Sequence, residues 1–149
     1  MRGMFFGVTA ATLVLTAGAA FAALDADTAI KYRKGTFEAI AGHFGGIIAG
    51  MKSPELAPDM QAHAEALAAT AKMPWKAFGP GTDKGTEKTT AGPKIWSDAA
   101  GFKAAASKFE VATADLLAAV KSKDNAKIGA AVQATGAACK QCHEGYRVK

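Results

Sequence analysis

Several features are scarce or missing in this sequence, and their absence narrows what the protein can be. Although Lys and Arg outnumber Asp and Glu by 18 to 13, no run of about five or six basic residues indicates binding to nucleic acid or to a membrane surface. No alternating β-branched segments predict strands, and internal repeats and low-complexity tracts are absent. Only two cysteines occur in 149 residues, enough for one disulfide or one paired-cysteine site. The length fits one compact domain.

The N-terminus has the pattern of a signal peptide. An apolar run over residues 4–20 follows Arg2 and ends in the small-x-small sequence Ala20-Phe21-Ala22, which is typical of signal peptidase sites. The run is rich in Gly and Ala and contains too few strongly apolar residues to predict a membrane span. We therefore expect residues 1–22 to be cleaved, and the mature chain, 23–149, to be exported to the periplasm without a membrane anchor. Cleavage removes Arg2 and lowers the formal net charge from +5 to +4.

Two amphipathic helices are predicted in the first half of the mature chain. Residues 25–51 form the first, with Asp25 or Asp27 as N-cap, because aspartate accepts hydrogen bonds from the free N–H groups at a helix start. After a break that contains proline, a shorter helix spans residues 60–71 and is ended by Pro74. The apolar stripe of the first helix recurs every seven residues and is filled in by two isoleucines: Ile30, Phe37, Phe44 and Met51, with Ile40 and Ile47.

Two more helices are predicted after a long loop over residues 75–94, which contains Gly and Pro but no apolar period. Ser97 is expected to cap the third helix, whose apolar seam extends to Val120. The dipeptide Asp124-Asn125 is expected to cap the fourth, which extends to Tyr146. Four amphipathic helices without strands predict an all-α fold, and their short connections predict an antiparallel four-helix bundle.

The last predicted helix carries the sequence Cys139-Lys140-Gln141-Cys142-His143, which is the C-x-x-C-H pattern of c-type haem attachment. Residues three and four positions apart share one face of a helix, so two thiols can bond one haem while His143 binds its iron. A thioredoxin-like pair, half of a zinc site and an ordinary disulfide are alternatives. A redox pair normally opens a helix after a strand, and no further zinc ligands have regular spacing. We predict one covalent haem c per chain, attached through Cys139 and Cys142.

Three polar residues in the first two helices need separate interpretation. Arg33 lies on the apolar stripe one turn before Phe37, and a charged residue in that position predicts an anionic partner. His43 is six positions after Phe37, and His63 lies beside the seam of the second helix. Both histidines are expected at the surface or at its boundary, and neither is expected to bind iron.

The sequence resembles cytochrome c prime, the high-spin branch of the class II c-type cytochromes. The resemblance extends over the mature chain and implies a four-helix bundle with haem c near the C-terminal helix. It rests on the haem motif, followed by Tyr146 and Arg147, and on four other segments: Ile30-Lys31-Tyr32-Arg33, His43-Phe44-Gly45, Pro74-Trp75-Lys76-Ala77-Phe78-Gly79-Pro80-Gly81-Thr82 and Ile95-Trp96-Ser97-Asp98.

The resemblance implies that residue 37 lies over the haem face opposite His143 and decides the coordination number of the iron. In the low-spin electron-transfer branch the matching residue is a methionine that binds iron. Phe37 has no lone pair to donate, and Met51 on the same helix is fourteen residues further along, or about 21 Å. We therefore predict five-coordinate, high-spin iron.

The resemblance also assigns expected roles to residues around the haem. Arg33, assisted by Lys34, is expected to pair with a haem propionate. The loop from Trp75 to Pro93 is expected to wrap the haem edge, and Thr90 to touch a propionate. The remaining residues expected in the haem pocket are Trp75, Phe78, Tyr146 and Arg147.

Vacant iron behind an apolar residue predicts the binding of neutral diatomic ligands, chiefly nitric oxide and carbon monoxide. Nitric oxide buffering or protection in the periplasm is the first functional hypothesis, and one-electron transfer to a redox partner protein in a respiratory or photosynthetic chain is the alternative. An enzyme such as a peroxidase is not expected, because Phe37 provides no acid–base pair above the iron. The resemblance also implies a homodimer through the first two helices.

Overall fold

Helices make up almost all of the regular structure in the computed structural model, which describes residues 24–148. The predicted signal peptide, residues 1–22, lies outside the described residues. The α-helices are α1 (Ala26–Lys52), α2 (Met60–Thr70), α3 (Lys94–Ser97), α4 (Ala99–Ser122) and α5 (Asn125–Tyr146), and two 3-10 helices span Ala57–Asp59 and Pro74–Phe78. Within residues 24–148, no helix is long and apolar enough to cross a membrane.

Helix α1 begins where the sequence predicts and buries most of the predicted stripe. The Asp25 carboxylate accepts a hydrogen bond from the Thr28 N–H at 2.9 Å, which makes Asp25 rather than Asp27 the N-cap. Ile30 is fully buried, but Met51 is 45% exposed, so the prediction for Met51 is wrong. A seven-residue repeat drifts by about 20° per repeat around a straight helix, and three repeats turn Met51 away from the core.

The start of α4 also differs from the prediction, because Asp98 caps the helix instead of Ser97. Pro93 precedes the one-turn helix α3, which ends at Ser97. The Asp98 carboxylate then accepts a hydrogen bond from the Gly101 N–H at 3.1 Å. It also accepts one from the Tyr146 hydroxyl at 3.0 Å, so the same carboxylate connects the start of α4 to the end of α5.

The segment predicted as a loop over residues 75–94 has more structure than its sequence indicates. It begins within the 3-10 helix Pro74–Phe78, which is too short to show an apolar period. The Asp27 carboxylate on α1 accepts hydrogen bonds from the Thr86 hydroxyl and from the Glu87 N–H. These bonds lower the pKa of Asp27 and fasten the loop to the first turn of α1.

The four long helices α1, α2, α4 and α5 pack into the predicted four-helix bundle. Helix α1 packs on α2, α2 packs on α4, and α4 packs on α5. Amphipathic helices of this kind are stabilised mainly by burying their apolar faces against one another. The core between them contains Ile40, Ile47, Met60, Ala64, Leu67, Ala71, Phe109, Leu116, Val120 and Ile128.

Truncation of Leu116 should destabilise the bundle strongly. Leu116 is fully buried on α4, whereas Val111 on the same helix is 60% exposed. We expect Leu116→Ala to lower the free energy of unfolding by about 2–5 kcal/mol, since it loses transfer free energy and leaves a cavity. The control Val111→Ala should change it by less than about 0.5 kcal/mol. Urea denaturation followed by circular dichroism measures both, and similar effects of the two substitutions would contradict this assignment of the core.

Candidate functional site

A cavity of about 650 Å³ opens beside α1 and α5 and is closed on one side by the segment of residues 74–91. This volume lies within the range of pockets that bind cofactors. Its apolar wall is largely aromatic and consists of Phe37, Phe44, Leu67, Trp75, Phe78, Phe102 and Phe109. All the site residues predicted from the sequence line this cavity: Arg33, Lys34, Phe37, Trp75, Phe78, Thr90, Cys139, Cys142, His143, Tyr146 and Arg147.

Two thiols and one imidazole face this cavity from the last turns of α5. Cys139 and Cys142 are half-buried free thiols, and His143 is the next residue in the chain. Burial raises the pKa of both thiols, and the neighbouring Cys142 raises that of Cys139 further. Burial, together with the Arg147 cation, lowers the pKa of His143. Both effects favour the neutral imidazole, which is the form that binds a metal.

Phe37 lies on the α1 side of the same cavity, where other aromatic rings hold it in place. Its ring makes edge contacts with Trp75 and Phe78, with centroids 5.8 Å and 6.4 Å away. Phe102 continues the cluster, since its ring centroid lies 5.9 Å from that of Trp75 and 4.9 Å from that of Phe78. Such aromatic pairs favour edge-to-face contact, so the position of Phe37 is set by Trp75 and Phe78, which Phe102 on α4 supports in turn.

Arg33 is 2% exposed, and its guanidinium connects α1 to the segment that closes the cavity. It donates hydrogen bonds to the Ala77 carbonyl at 3.1 Å, to the Thr82 carbonyl at 2.8 Å and to the Thr89 hydroxyl at 3.1 Å. The guanidinium carbon also lies 4.8 Å from the centre of the Phe78 ring, within cation–π range. The sequence predicts an anionic partner for Arg33. The acceptors of these hydrogen bonds are instead neutral carbonyl and hydroxyl oxygens.

Replacing Arg33 should loosen the loop and destabilise the fold. Arg33→Met keeps much of the apolar stem but leaves the buried Thr82 carbonyl without its donor and removes one of the two donors to the Ala77 carbonyl. Unpaired buried acceptors are costly, so we expect a loss of about 2–4 kcal/mol in the free energy of unfolding. Lys34→Met is the matched control, because Lys34 is adjacent, exposed and also lines the cavity. Urea denaturation compares the two variants, and an equal loss in both would show that the Arg33 bonds are not responsible.

The C-terminal end of α5 closes against the loop beside His143. Gly92 donates its N–H to the Tyr146 carbonyl at 2.8 Å, and Val148 donates its N–H to the Thr90 carbonyl at 3.0 Å. The Arg147 Nε–H donates to the Thr90 hydroxyl at 3.1 Å. Thr90 and Arg147, which the resemblance places in the haem pocket, therefore contact each other at the mouth of the cavity.

An unpaired donor in the cavity wall agrees with the binding of a polar or anionic group. Within residues 24–148, the indole nitrogen of Trp75 is buried and has no hydrogen-bond acceptor. Buried donors are nearly always paired, so the site has room for an acceptor that the described residues do not supply. A largely apolar cavity with two thiols, one imidazole and an orphaned donor fits a haem c, whose ring is apolar and whose propionates accept hydrogen bonds.

The sequence interpretation missed Thr89 and Asp98. Thr89 accepts a hydrogen bond from Arg33, but it lies in an aperiodic loop whose sequence gives no signal for that contact. Asp98 is adjacent to Ser97, which was predicted as the cap. Aspartate is itself a good cap residue, so the sequence also allowed Asp98 as the cap. His43 and His63 do not line the cavity; they contact each other instead.

Comparisons with known proteins agree with this geometry. A sequence model of the family described as Cytochrome C' matches residues 28–147. Cytochrome c' from Rubrivivax gelatinosus is 50% identical over 124 residues, which cover 81% of this chain and 95% of that protein. Its crystal structure superposes with a TM-score of 0.75 at 48% identity, covering 80% of this chain and 94% of that one. A nitric oxide complex of a single-residue mutant of cytochrome c prime from Alcaligenes xylosoxidans has a TM-score of 0.76 at 39% identity, covering 84% and 98%.

Proposed function

We propose that this chain, which belongs to the cytochrome c' family, is a periplasmic haem protein whose five-coordinate, high-spin iron binds nitric oxide. The family binds haem c, and the two cysteines of this chain are available for covalent attachment. The observation that carries the proposal is Phe37: its ring is fixed beside the cavity by Trp75 and Phe78, and it has no atom that can coordinate a metal.

Cys139, Cys142 and His143 would hold the haem in this proposal. The cysteines lie three residues apart on one face of α5, and His143 lines the same cavity. The bound haem would supply an iron atom that can change its oxidation state and bind a diatomic gas. The residues that line the cavity and could bind the propionates are Arg33, Lys34 and Thr90. Arg33 already donates hydrogen bonds to Ala77, Thr82 and Thr89.

The aromatic cluster supports selectivity for nitric oxide and carbon monoxide over oxygen. Bound oxygen is stabilised by a hydrogen-bond donor in the distal pocket, and the rings of Phe37 and Phe78 offer none. The free indole N–H of Trp75 is the donor that we assign to a haem propionate. Neutral diatomic molecules also enter an apolar cavity more readily than anions do. Because these rings provide no acid–base pair of the kind that breaks a peroxide bond, we propose a binding protein and not an enzyme.

A nitric oxide titration tests this proposal directly. The ferric protein should give high-spin absorption and electron paramagnetic resonance spectra, because no side chain completes the coordination opposite His143. The reduced protein should then take up one nitric oxide molecule per haem. Low-spin ferric spectra and no nitric oxide uptake would reject the gas-binding function while leaving haem binding intact.

Electron transfer is the second candidate function, and the charge at the cavity mouth favours it. Lys34 and Arg147 are exposed and line the mouth, and the Lys94 ammonium lies 5.4 Å from the centre of the Tyr146 ring. A basic edge of this kind would steer an acidic redox partner protein. Electron exchange with such a partner that slows as salt is added, together with low-spin spectra, would favour this function over nitric oxide binding.

We also propose that the mature chain, residues 23–149, is exported and forms a homodimer through α1 and α2. Met51 and Leu56 near the junction of these helices are each 45% exposed, and burial in a dimer would remove them from water. N-terminal sequencing of periplasmic protein should begin at Ala23. Analytical ultracentrifugation should give twice the mass of one chain, and a monomer at high protein concentration would reject the dimer.

A further inference from the structure

Two histidines outside the haem cavity lie in direct contact. His43 on α1 and His63 on α2 have Nδ1 atoms 3.1 Å apart and ring centroids 5.4 Å apart. Both residues are half-buried, and neither lines the cavity. We propose that His43 and His63 together bind a divalent transition-metal ion, such as Zn²⁺, which joins α1 to α2.

The separation of the two nitrogens suits such an ion. Neutral imidazole is the commonest protein ligand for transition metals. Bonds of about 2.0–2.1 Å from a tetrahedral zinc ion place two ligating nitrogens about 3.3–3.4 Å apart. The observed 3.1 Å differs from this by less than the amplitude of about 0.5 Å with which an ordered atom moves. An ion can therefore take the place of the shared proton by lying to one side of the line between the two Nδ1 atoms, with a rotation of the rings and little movement of either helix.

Close packing against α1 fixes one of the two rings. A Cβ atom added at Gly46 would lie 2.5 Å from both Cδ2 and Nε2 of His63, so the ring rests where only glycine leaves room. This confinement limits the rotation of the His63 ring, which reduces the conformational entropy lost when a ligand binds. The ring is thus already close to the orientation in which its Nδ1 faces His43.

His43 and His63 supply two protein ligands, and the other coordination positions of the metal ion stay open. Within residues 24–148, no cluster of three or more His, Cys, Asp or Glu side chains is arranged to hold a metal ion. Water or a small anion would complete the coordination, as happens at zinc sites that keep an open position. Since His143 belongs to the haem site and is the third histidine of the chain, binding at the pair is separable from haem chemistry.

Zinc titration of the untagged, haem-loaded protein tests the site. Isothermal titration calorimetry should detect one Zn²⁺ per chain, and the absorption spectrum of the haem should stay unchanged during the titration. His43→Ala and His63→Ala should each abolish this binding. Unchanged zinc uptake in both variants, or no uptake by the unaltered protein, would overturn the proposal.

Two glycine substitutions provide a second test that keeps both ligands. Gly46→Ala places a methyl group against the His63 ring, whereas Gly42→Ala, next to His43, meets nothing within 4 Å. Displacement of a metal ligand by its surroundings commonly costs about tenfold or more in affinity, so we expect Gly46→Ala to weaken zinc binding by at least about tenfold. Gly42→Ala should leave the affinity within about twofold. Equal affinities of the two glycine variants would show that the orientation of His63 does not determine binding.

Discussion

A variant in which Cys139 and Cys142 are both alanine should release all of its haem on denaturation, whereas the unaltered protein should retain it. Both thiols line the cavity together with His143 and are free to react. Thioether bonds are covalent and survive unfolding, whereas an imidazole ligand is lost when the fold is lost. Haem staining after denaturing electrophoresis measures the retained fraction, and the mass of the intact chain gives the number of haems attached.

The residues between the two cysteines provide the control for this experiment. Lys140 and Gln141 are exposed, do not line the cavity and lie within the same turn of α5. Alanine at these two positions should leave haem retention complete. If the double cysteine variant kept its haem after denaturation, covalent attachment through these residues would be wrong.

If the iron is five-coordinate and high-spin as we propose, Phe37→Met should convert it to six-coordinate and low-spin. Phe37 lies on the α1 side of the cavity, and a methionine there would add a thioether sulfur, which is an established haem ligand. The added ligand would compete with gases for the iron, so carbon monoxide affinity should fall by at least about tenfold, equivalent to about 1.4 kcal/mol. Absorption and electron paramagnetic resonance spectra report the spin state, and carbon monoxide titration reports the affinity.

Phe37→Leu separates the effect of the sulfur from the effect of the smaller side chain. Leucine and methionine have similar volumes and both lose the edge contacts with Trp75 and Phe78. The leucine variant should remain high-spin and should bind carbon monoxide at least as fast as the unaltered protein, because less bulk obstructs the iron. A high-spin methionine variant would show that residue 37 does not lie within reach of the iron.

The haem-attachment motif could be predicted from the sequence because its residues are close together in the chain. Cys139, Cys142 and His143 lie within five residues, and the helical repeat alone determines that they share a face. The same holds for the N-cap at Asp25, where the side chain bonds to an N–H three residues away. The family match confirms haem c as the cofactor, and the related structures confirm the four-helix bundle.

Predictions failed where a short element or a small angular drift mattered. Ser97 was expected to cap a helix, but the chain first makes one turn of α3, and Asp98 takes the role. The 3-10 helix Pro74–Phe78 was predicted as loop, because five residues are too few to display a period. Met51 was predicted on the apolar stripe but is exposed, because the difference between 3.5 and 3.6 residues per turn accumulates along a helix of 27 residues.

The sequence by itself determined the four long helices, the bundle and the haem-attachment motif, because these depend on periodicity and on residues close together in the chain. Only the tertiary structure decided the partners of Arg33, which lie 44 to 56 residues away, and the contact between His43 and His63 across two helices. Such pairs depend on how helices and loops pack, to within a fraction of an ångström. No local pattern encodes that distance, so these contacts emerge only when the whole chain has folded.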